Sequence, residues 1–288
     1  MLLSIITVTH KSNLDLIKYS HSFFKYHNDL SLENKNEIEI IFVENSGNNL
    51  DKFKKIFDDN GFSLKVIYCE NNGFGSACNL GSKYALGDKI IFINPDIEFK
   101  SKILPNKKIK KLMFGTCLQR GKSPIPYSFE LLPENKNIFC EISIIIKIIN
   151  WIIITLNWKS MRFFPVGAFI VIDKKLFEDV GKFNEEFFLY YEEAELSKRI
   201  YKKFMIYPEL IKEISIFHKS FGSHFSIDNS RKNESVGFIT YCQIAGNKKI
   251  LQKQINRLKI LKIFTKGARI KYSNLIESLK KNSNYKLI

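Results

Sequence analysis

Short apolar segments alternate with amphipathic segments through the first hundred residues, and this alternation constrains the fold more than any other feature. The apolar segments, rich in Ile and Val, are Leu3–Thr9, Glu39–Val43, Leu64–Tyr68 and Lys89–Ile93. The segments with helical periodicity between them are Leu14–Tyr26, Leu50–Asp59 and Ser76–Leu86. Strand–helix alternation of this kind predicts an α/β protein with a mostly parallel central sheet flanked by helices.

The carboxyl ends of the predicted strands are all polar. Parallel sheets bind ligands outside these ends, so a binding site is expected there. The polar residues at or near the four ends are Thr7, Thr9, Glu44, Asn45, Ser46, Glu70, Asn71, Asn72, Gly73, Asn94 and Asp96.

The rest of the chain divides into a poorly patterned segment, a second ordered part and a tail. Residues 100–160 contain four prolines and weak periodicity. Beyond them the pattern predicts a strand at Phe163–Asp173, helices at Lys174–Val180 and Glu192–Lys203, and a strand at Ile214–His218. We therefore predict one catalytic domain over residues 1–246, with halves at 1–99 and 100–246, and a basic helical extension at 247–288.

Composition excludes several classes of protein. Hydrophobic residues make up 45% of the 288, so global disorder is excluded. None of the five cysteines forms a C-x-x-C pair, which argues against a zinc site and favours reduced thiols. No run reaches the roughly 20 apolar residues of a membrane-spanning helix, because Lys147 and Asn150 interrupt Ile142–Leu156. These features predict a cytoplasmic protein.

The formal net charge of +16 is concentrated in the tail, where residues 248–288 carry twelve Lys or Arg and one acid. The apolar residues of this segment recur at helical spacing and are Leu251, Ile255, Leu258, Leu261 and Phe264. A basic amphipathic helix is typical of peripheral membrane contact, here at the inner face of the cell membrane. Equally, it is typical of a helix packed on its own domain. No motif for reading nucleic acid accompanies the charge, so no nucleic-acid partner is expected.

Asp96 is the first candidate for chemistry. It follows the apolar strand Ile90–Ile93 in the sequence Asn94-Pro95-Asp96, and a carboxylate there suits a hard cation that bridges a diphosphate. An ordinary Asn-Pro-Asp turn without a bound cation has the same sequence pattern.

The second candidate is the cluster Glu192, Glu193 and Glu195 at a predicted helix start. Acids are common there because the helix dipole favours them. Bulky apolar residues precede the cluster, however, so its carboxylates are expected to be tucked against the domain. A raised pKa would then suit one of them for accepting a proton from a hydroxyl.

His218 is the third candidate. It ends the predicted strand Ile214–His218, and an imidazole beside the Asp96 carboxylate would favour a transition metal such as Mn²⁺. A lone histidine at a strand end is also common for structural reasons alone.

Four segments, in order, resemble glycosyltransferase family 2, in particular its rhamnosyltransferase-like members that build bacterial surface polysaccharides. Ser4–Thr9 resembles the family's opening strand, and Asn72–Gly81 its glycine-rich segment. Asn94-Pro95-Asp96 stands where the family has its D-x-D-like metal motif. Gly167–Leu196 resembles the long block that carries the acidic residue serving the family as general base.

The resemblance implies a GT-A fold, Rossmann-like, and an inverting, metal-dependent hexosyl transfer from a UDP- or dTDP-sugar to a saccharide or lipid-linked saccharide. By the same resemblance Asp96 holds the divalent metal, Mn²⁺ or Mg²⁺, with His218 as a further ligand. Glu193 falls on the general base and Glu192 lies beside it. The implied nucleotide-sugar-binding residues are Thr7, Thr9, Glu44, Asn72, Gly73, Asn79 and Asn94.

Three acidic positions depart from the family pattern. The chain has Glu44 and Glu195 where the family usually has Asp, and Glu192-Glu193 where it usually has Glu-Asp. Each longer arm bears on near-attack geometry, so a non-catalytic relative that binds sugar nucleotide or polysaccharide is the alternative. A Rossmann dehydrogenase is disfavoured because no third glycine follows Gly73-Phe74-Gly75 in the dinucleotide pattern.

Overall fold

The computed structural model describes residues 2–103, 113–121, 126–136, 148, 152, 160–219, 227–264 and 269–286. Two sheets are present in this part of the chain. The strands of the large sheet are β1 (Leu3–Thr9), β2 (Ile38–Glu44), β3 (Ser63–Tyr68), β4 (Lys89–Ile93), β5 (Ile97–Phe99), β6 (Phe114–Arg120), β9 (Phe169–Asp173) and β10 (Glu209–His218). The small sheet pairs β7 (Phe129–Leu131) with β8 (Phe163–Pro165).

The large sheet has the order β3-β2-β1-β4-β9-β6-β10-β5. Strands β1 to β4 pair in parallel, with Leu3 opposite Ile38 and Thr9 opposite Glu44. Strand β9 runs antiparallel to both β4 and β6, while β10 runs parallel to β6. Their apolar runs are continuous because helices cover both faces of such a sheet.

The helices are α1 (Asn13–His27), α2 (Leu32–Asn36), α3 (Asp51–Asp59), α4 (Phe74–Tyr84), α5 (Lys174–Asp179), α6 (Glu192–Phe204), α7 (Ile227–Ile244), α8 (Lys248–Phe264) and α9 (Arg269–Lys286). One face of the sheet packs on α1 and α3 around Tyr19, Phe23 and Phe57. The other face packs on α4, α5 and α6 around Phe92, Phe177 and Leu196.

The elements predicted in the first hundred residues agree with the structure to within two residues at each end. The single strand predicted at Phe163–Asp173 is wrong, because residues 166–168 leave the extended conformation between β8 and β9. Strand β8 joins the small sheet and β9 joins the large one. Strand β10 begins at Glu209, earlier than predicted.

The tail helices pack on the domain. Leu251, Ile255, Leu258 and Leu261 of α8 are buried, each at most 7% exposed, in a third cluster that includes Phe187 before α6. The apolar stripe is therefore covered by protein, so the helix is of the domain-packed kind, and a membrane contact would have to use its basic face. The Phe264 side chain lies outside the described residues. The predicted boundary at 246 falls in the turn between α7 and α8.

No helix in the described part of the chain is long and apolar enough to cross a membrane. Most of the apolar run Ile142–Leu156 lies outside the described residues, as does Cys140.

Candidate active site

A cleft of about 460 Å³ opens at the carboxyl ends of the central strands, as the strand ends predicted. At one end it is lined by residues that follow or end β1, β2 and β3. In the middle it is lined by Asn94, Pro95, Asp96 and His218. At the other end it is lined by Tyr127, Glu130, Val166, Phe188, Leu189, Tyr190 and Ser230.

Hydrogen-bonded side chains join the ends of the first three strands. His10 Nδ1 lies 2.9 Å from Asn45 Oδ1, and Asn45 Nδ2 donates to Asn71 Oδ1 at 3.3 Å. All three side chains line the cleft, together with Asp15 from α1. Imidazole, amide and carboxylate groups at this end can recognise the polar edges of a nucleoside.

Asp96 and His218 meet at the middle of the cleft. His218 Nε2 lies 3.3 Å from Asp96 Oδ1, and both side chains are largely buried. The topology causes this contact, because β5 follows Asp96 directly and pairs with the end of β10, setting Ile97 opposite His218. The Lys219 backbone N–H also donates to the Asp96 carbonyl at 3.3 Å.

Tyr127 orients the imidazole of His218. Its hydroxyl is hydrogen-bonded to Nδ1 at 2.8 Å, which leaves Nε2 on the side of Asp96. Metal-ligating histidines have a partner of this kind on the nitrogen that does not bind the ion.

One carboxylate and one imidazole fit a divalent transition metal that takes its remaining ligands from water and a bound diphosphate. The described residues include no group of three or more His, Cys, Asp or Glu side chains able to hold a metal ion by themselves. The pair Asp96–His218 therefore fits a metal that binds together with its phosphate-bearing substrate.

Glu193 is in the first turn of α6 and is not among the described residues that line the cleft. The Gly167 N–H donates to its carboxylate, and the preceding Val166 lines the cleft. Glu193 is half-buried as a residue, but Oε2 is buried and has no hydrogen-bond partner in the described part of the chain. An oxygen in that condition can accept a proton from an incoming hydroxyl.

Burial sets the protonation of the two neighbouring carboxyls of α6. Burial raises the pKa of Glu193 to about 7, and the charge of Glu130 adds to the rise. Burial, and then the charge of Glu193, raise the pKa of Glu192 well above its usual range. Both neighbouring carboxyls therefore hold a proton more readily than an exposed glutamate does.

The turn that leads into α6 is strained. Tyr190 and Tyr191 both have a φ of +72°, a region that bulky residues rarely adopt. Gly237 of α7 packs directly on this turn, since a Cβ there would lie 2.5 Å from the Tyr190 carbonyl oxygen. Strain of this kind persists only where packing enforces it, and here the packing fixes the start of α6 beside the cleft.

Three residues predicted to bind the nucleotide are occupied elsewhere. Thr7 is buried and donates to the Tyr19 hydroxyl at 3.2 Å, inside the core. Thr9 donates to Glu44 at 2.6 Å, and Glu44 also accepts from Ser46. Glu44 is therefore turned into its own loop, and none of the three predicted residues lines the cleft.

The glycine-rich segment acts through packing. Gly73 has a φ of +107°, and a Cβ there would lie 2.6 Å from the Phe188 carbonyl oxygen, so only glycine fits. Asn79 Nδ2 donates to Phe183 O at 2.9 Å and its Oδ1 accepts from the Phe183 N–H. Asn72 is exposed. Among the predicted sugar-nucleotide residues, Asn94 lines the cleft, whereas Asn72, Gly73 and Asn79 do not.

Sequence reasoning missed several lining residues. His10 follows β1 directly, so its position at the end of a strand could have identified it. Asn45 and Asn71 belong to the strand ends that the sequence showed to be polar. Asp15 reaches the cleft from α1 with no sequence signal. Tyr127, Glu130 and Tyr190 come from segments whose pattern did not reveal their position.

The sequence model described as Glycosyl transferase family 2 matches residues 4–181. This range contains Asp96 and Gly167, and it ends before α6 and β10, which carry Glu193 and His218. A low-salt glycan biosynthesis hexosyltransferase of Haloferax volcanii is 27% identical over 140 residues, covering 45% of this chain and 43% of that protein. The match thus spans less than half the length of this curated relative.

Solved structures share the fold at low identity. A mannosyltransferase from Pyrobaculum calidifontis, in complex with GDP-Man and Mn²⁺, has a TM-score of 0.58 at 10% identity and covers 99% of this chain and 75% of that one. GalNAc-T7 with UDP, GalNAc and Mn²⁺ has a TM-score of 0.56 at 14% identity and covers 82% of this chain and 47% of that one. S. aureus TarS has a TM-score of 0.51 at 15% identity and covers 98% of this chain and 54% of that one. The predicted GT-A fold is confirmed.

Proposed function

This chain belongs to glycosyl transferase family 2, and we propose on that premise that it moves a sugar from a nucleotide-diphosphate donor to a saccharide acceptor with inversion. The observation that carries the proposal is the arrangement of one cleft. The Asp96–His218 pair lines its middle, and the Glu193 carboxylate lies behind its wall, against Gly167, which follows the lining residue Val166.

The donor would lie along the strand ends. His10, Asn45 and Asn71 would contact the nucleoside, and Asn94 would lie near the diphosphate. This assignment replaces Thr7, Thr9 and Glu44, whose side chains are engaged with protein partners. The nucleotide complexes of the neighbouring structures contain UDP or GDP-Man, which supports a sugar nucleotide as the donor class.

Asp96 and His218 would hold a divalent cation, Mn²⁺ or Mg²⁺, at the diphosphate. When bound, such a cation neutralises the negative charge that grows on the leaving diphosphate. The chain contributes the orientation of the two ligands, through the β5–β10 pairing and the Tyr127 hydrogen bond.

Glu193 would act as the general base. The acceptor hydroxyl oxygen forms a bond to the anomeric carbon while the bond from that carbon to the diphosphate oxygen breaks. The hydroxyl proton passes to the Glu193 carboxylate, and the nucleoside diphosphate leaves with the bonding electron pair. Attack from the face opposite the leaving group inverts the anomeric centre.

A first experiment measures thermal stabilisation by a panel of UDP-, dTDP- and GDP-sugars, with and without Mn²⁺. The panel includes dTDP-rhamnose, because the block Gly167–Leu196 resembles that of rhamnosyltransferase-like members. We expect one nucleotide class to raise the melting temperature in a metal-dependent way. Failure of every sugar nucleotide to stabilise the protein would count against any donor site in the cleft.

A second experiment separates an enzyme from a non-catalytic binder. An enzyme is expected to hydrolyse the stabilising donor slowly even without its acceptor, and the release of free nucleoside diphosphate measures this hydrolysis. Stabilisation without any hydrolysis or transfer would favour the binding relative instead. The raised pKa of Glu193 favours the enzyme, because carboxyls with strongly shifted pKa values cluster at catalytic sites.

A further inference from the structure

A second cavity of about 460 Å³ lies beside the active-site cleft and is lined mainly by α8. Its charged lining residues are Lys136, Lys249, Lys253 and Arg257, and Gln252, Asn256 and Ile260 complete it. We call it the basic cavity. Among the described residues that line it there is no carboxylate.

The amphipathic character of α8 produces this cavity. The helix buries Leu251, Ile255 and Leu258 in the tail cluster, so the lysines and amides one position away face outward along a single side. Residues 249, 253, 256, 257 and 260 are spaced three or four apart, and they therefore project from one face. Four cationic side chains thus surround one cavity whose accessible wall is formed mainly by carbon atoms, and their charges favour an anion at its rim.

Three of the four cations are held in place by the protein. Lys253 Nζ donates to the Glu134 carbonyl oxygen at 2.8 Å, and Lys136 Nζ lies 3.2 Å from Glu130 Oε2. Arg257 is only 6% exposed, so its guanidinium is held in place by burial. Lys249 is an exposed side chain, whereas these three cations are preorganised and lose little side-chain entropy when a ligand binds.

The basic cavity adjoins the end of the cleft that Tyr127 and Glu130 line. Lys136 lines the cavity, and its partner Glu130 lines the cleft, so this ion pair forms part of the wall between them. The charges of both residues act on Glu193, with Glu130 raising its pKa and Lys136 lowering it. A molecule anchored in the cavity would therefore have its neighbouring groups close to the general base.

We propose that the basic cavity binds a phosphate or diphosphate group carried by the acceptor, an inference that rests on the proposed sugar transfer. Phosphoryl oxygens accept charge-assisted hydrogen bonds from lysine and arginine, and the Gln252 and Asn256 amides add neutral donors. The donor's own diphosphate belongs with Asp96 and His218 in the other cavity. The acceptor is thus a phosphorylated saccharide, whether soluble or lipid-linked.

Binding of inorganic pyrophosphate to the full chain tests the cavity directly. Titration calorimetry is done in EDTA, which suppresses metal-dependent binding at Asp96 and His218. The test variant is Lys249→Gln with Lys253→Gln, and the matched control is Lys259→Gln with Lys262→Gln, which removes the same charge from exposed positions of the same helix. We expect about tenfold weaker binding in the test variant, the scale of one lost charge-assisted contact, and little change in the control.

Equal weakening in both double variants would mean that pyrophosphate responds only to overall charge, and this result would overturn the proposal. Absence of binding to the wild-type chain would overturn it as well. Circular dichroism and the melting temperature of each variant verify that the fold is retained before affinities are compared.

Two further probes separate the sources of the phosphate. Glucose 1-phosphate represents a soluble phosphorylated saccharide, and phosphatidylcholine vesicles containing phosphatidic acid represent a lipid-borne phosphate. Binding of either probe that depends on Lys249 and Lys253 supports the proposal and identifies the source, while binding of neither overturns it. Donor hydrolysis in the test variant should equal that of the wild type, because the cavity does not hold the donor. Absence of hydrolysis in the wild-type chain would count against the proposed transfer reaction and not against the cavity.

Discussion

The carboxylate of Glu193 occupies the space that a side chain at Gly167 would need. A Cβ built on Gly167 would lie 2.8 Å from Glu193 Oε1, and the Gly167 N–H donates to the same carboxylate. Gly167, in the turn between β8 and β9, thus neighbours the proposed base, which is carried by a different element. Glycine at position 167 lets the backbone approach the base closely enough to orient it.

Gly167→Ala should therefore displace the base. We expect turnover to fall by about 10- to 100-fold, since misplacement by about 1 Å has effects of that size, while donor binding is retained. Steady-state transfer kinetics measure the first quantity and donor-induced stabilisation the second. Gly246→Ala is the control, because a Cβ there meets no atom within 4 Å and only its φ of +61° is strained. That control should lose stability but keep turnover.

Glu193→Gln should remove the base without changing the shape of the site. Turnover is expected to drop by about 10²–10⁴, the usual contribution of a general base, and the donor affinity should stay within error. The exposed Glu186→Gln, in the loop before α6, is the charge-matched control. Unchanged turnover in the Glu193 variant would assign the proton transfer to another group.

The rate of transfer should rise with pH through the Glu193 titration. The base works only as a carboxylate, and its pKa is raised to about 7, so activity is low in acid and levels off above neutrality. Glu130→Gln removes a negative charge that raises this pKa, and its pH–rate midpoint should therefore move to lower pH. Lys136→Gln removes a positive charge and should move the midpoint in the opposite direction. Identical midpoints in all three proteins would show that another group controls the profile.

The convergence of Asp96 and His218 could be predicted from sequence because Asp96 follows the end of β4 and His218 ends β10. Strand ends of one sheet share an edge, and periodicity locates them well. The binding role of Thr7 stays a prediction, and the contacts of its side chain do not favour it. The alternation of side chains along a strand explains why. Within β1, successive side chains point to opposite faces, and Thr7 faces Tyr19 in the α1 core.

Tyr127 and Glu130 could not be located in the same way. Both belong to a proline-containing segment without clear periodicity, and only the β7–β8 pairing brings them against the cleft. This end of the cleft thus depends on tertiary contacts that leave little trace in a local pattern. Similarly, spacing could show that α8 is amphipathic but not which surface covers its apolar side.

Asp96→Asn should abolish the metal-dependent part of donor binding. The amide keeps the shape of the side chain but loses the negative charge that a divalent cation requires. We expect the additional thermal stabilisation that Mn²⁺ gives in the presence of the donor to disappear. Exposed Asp88→Asn, just before β4, should retain it. A full metal effect in the Asp96 variant would locate the cation elsewhere.

The buried His27 should make the fold sensitive to mild acid. Its Nδ1 donates to the Phe23 carbonyl at 2.7 Å, and its Nε2 accepts from the Ile103 N–H at 2.8 Å, so the packed imidazole is neutral. Burial lowers its pKa to about 4 from the usual 6.5. Between these values the unfolded chain binds a proton that the folded chain does not, so the free energy of unfolding falls as the pH falls.

The stabilisation by His27 is fully present above pH 6.5 and declines toward pH 4. Since each unit of difference in pKa corresponds to about 1.36 kcal/mol, the decline is up to about 3 kcal/mol. Urea unfolding at several pH values measures this slope. His27→Gln keeps one donor and one acceptor but does not titrate, so its stability should change less over the same interval. The exposed His21→Gln on the same helix is the matched control and should follow the wild type. Equal slopes in the His27 variant and the wild type would assign the acid sensitivity to other groups.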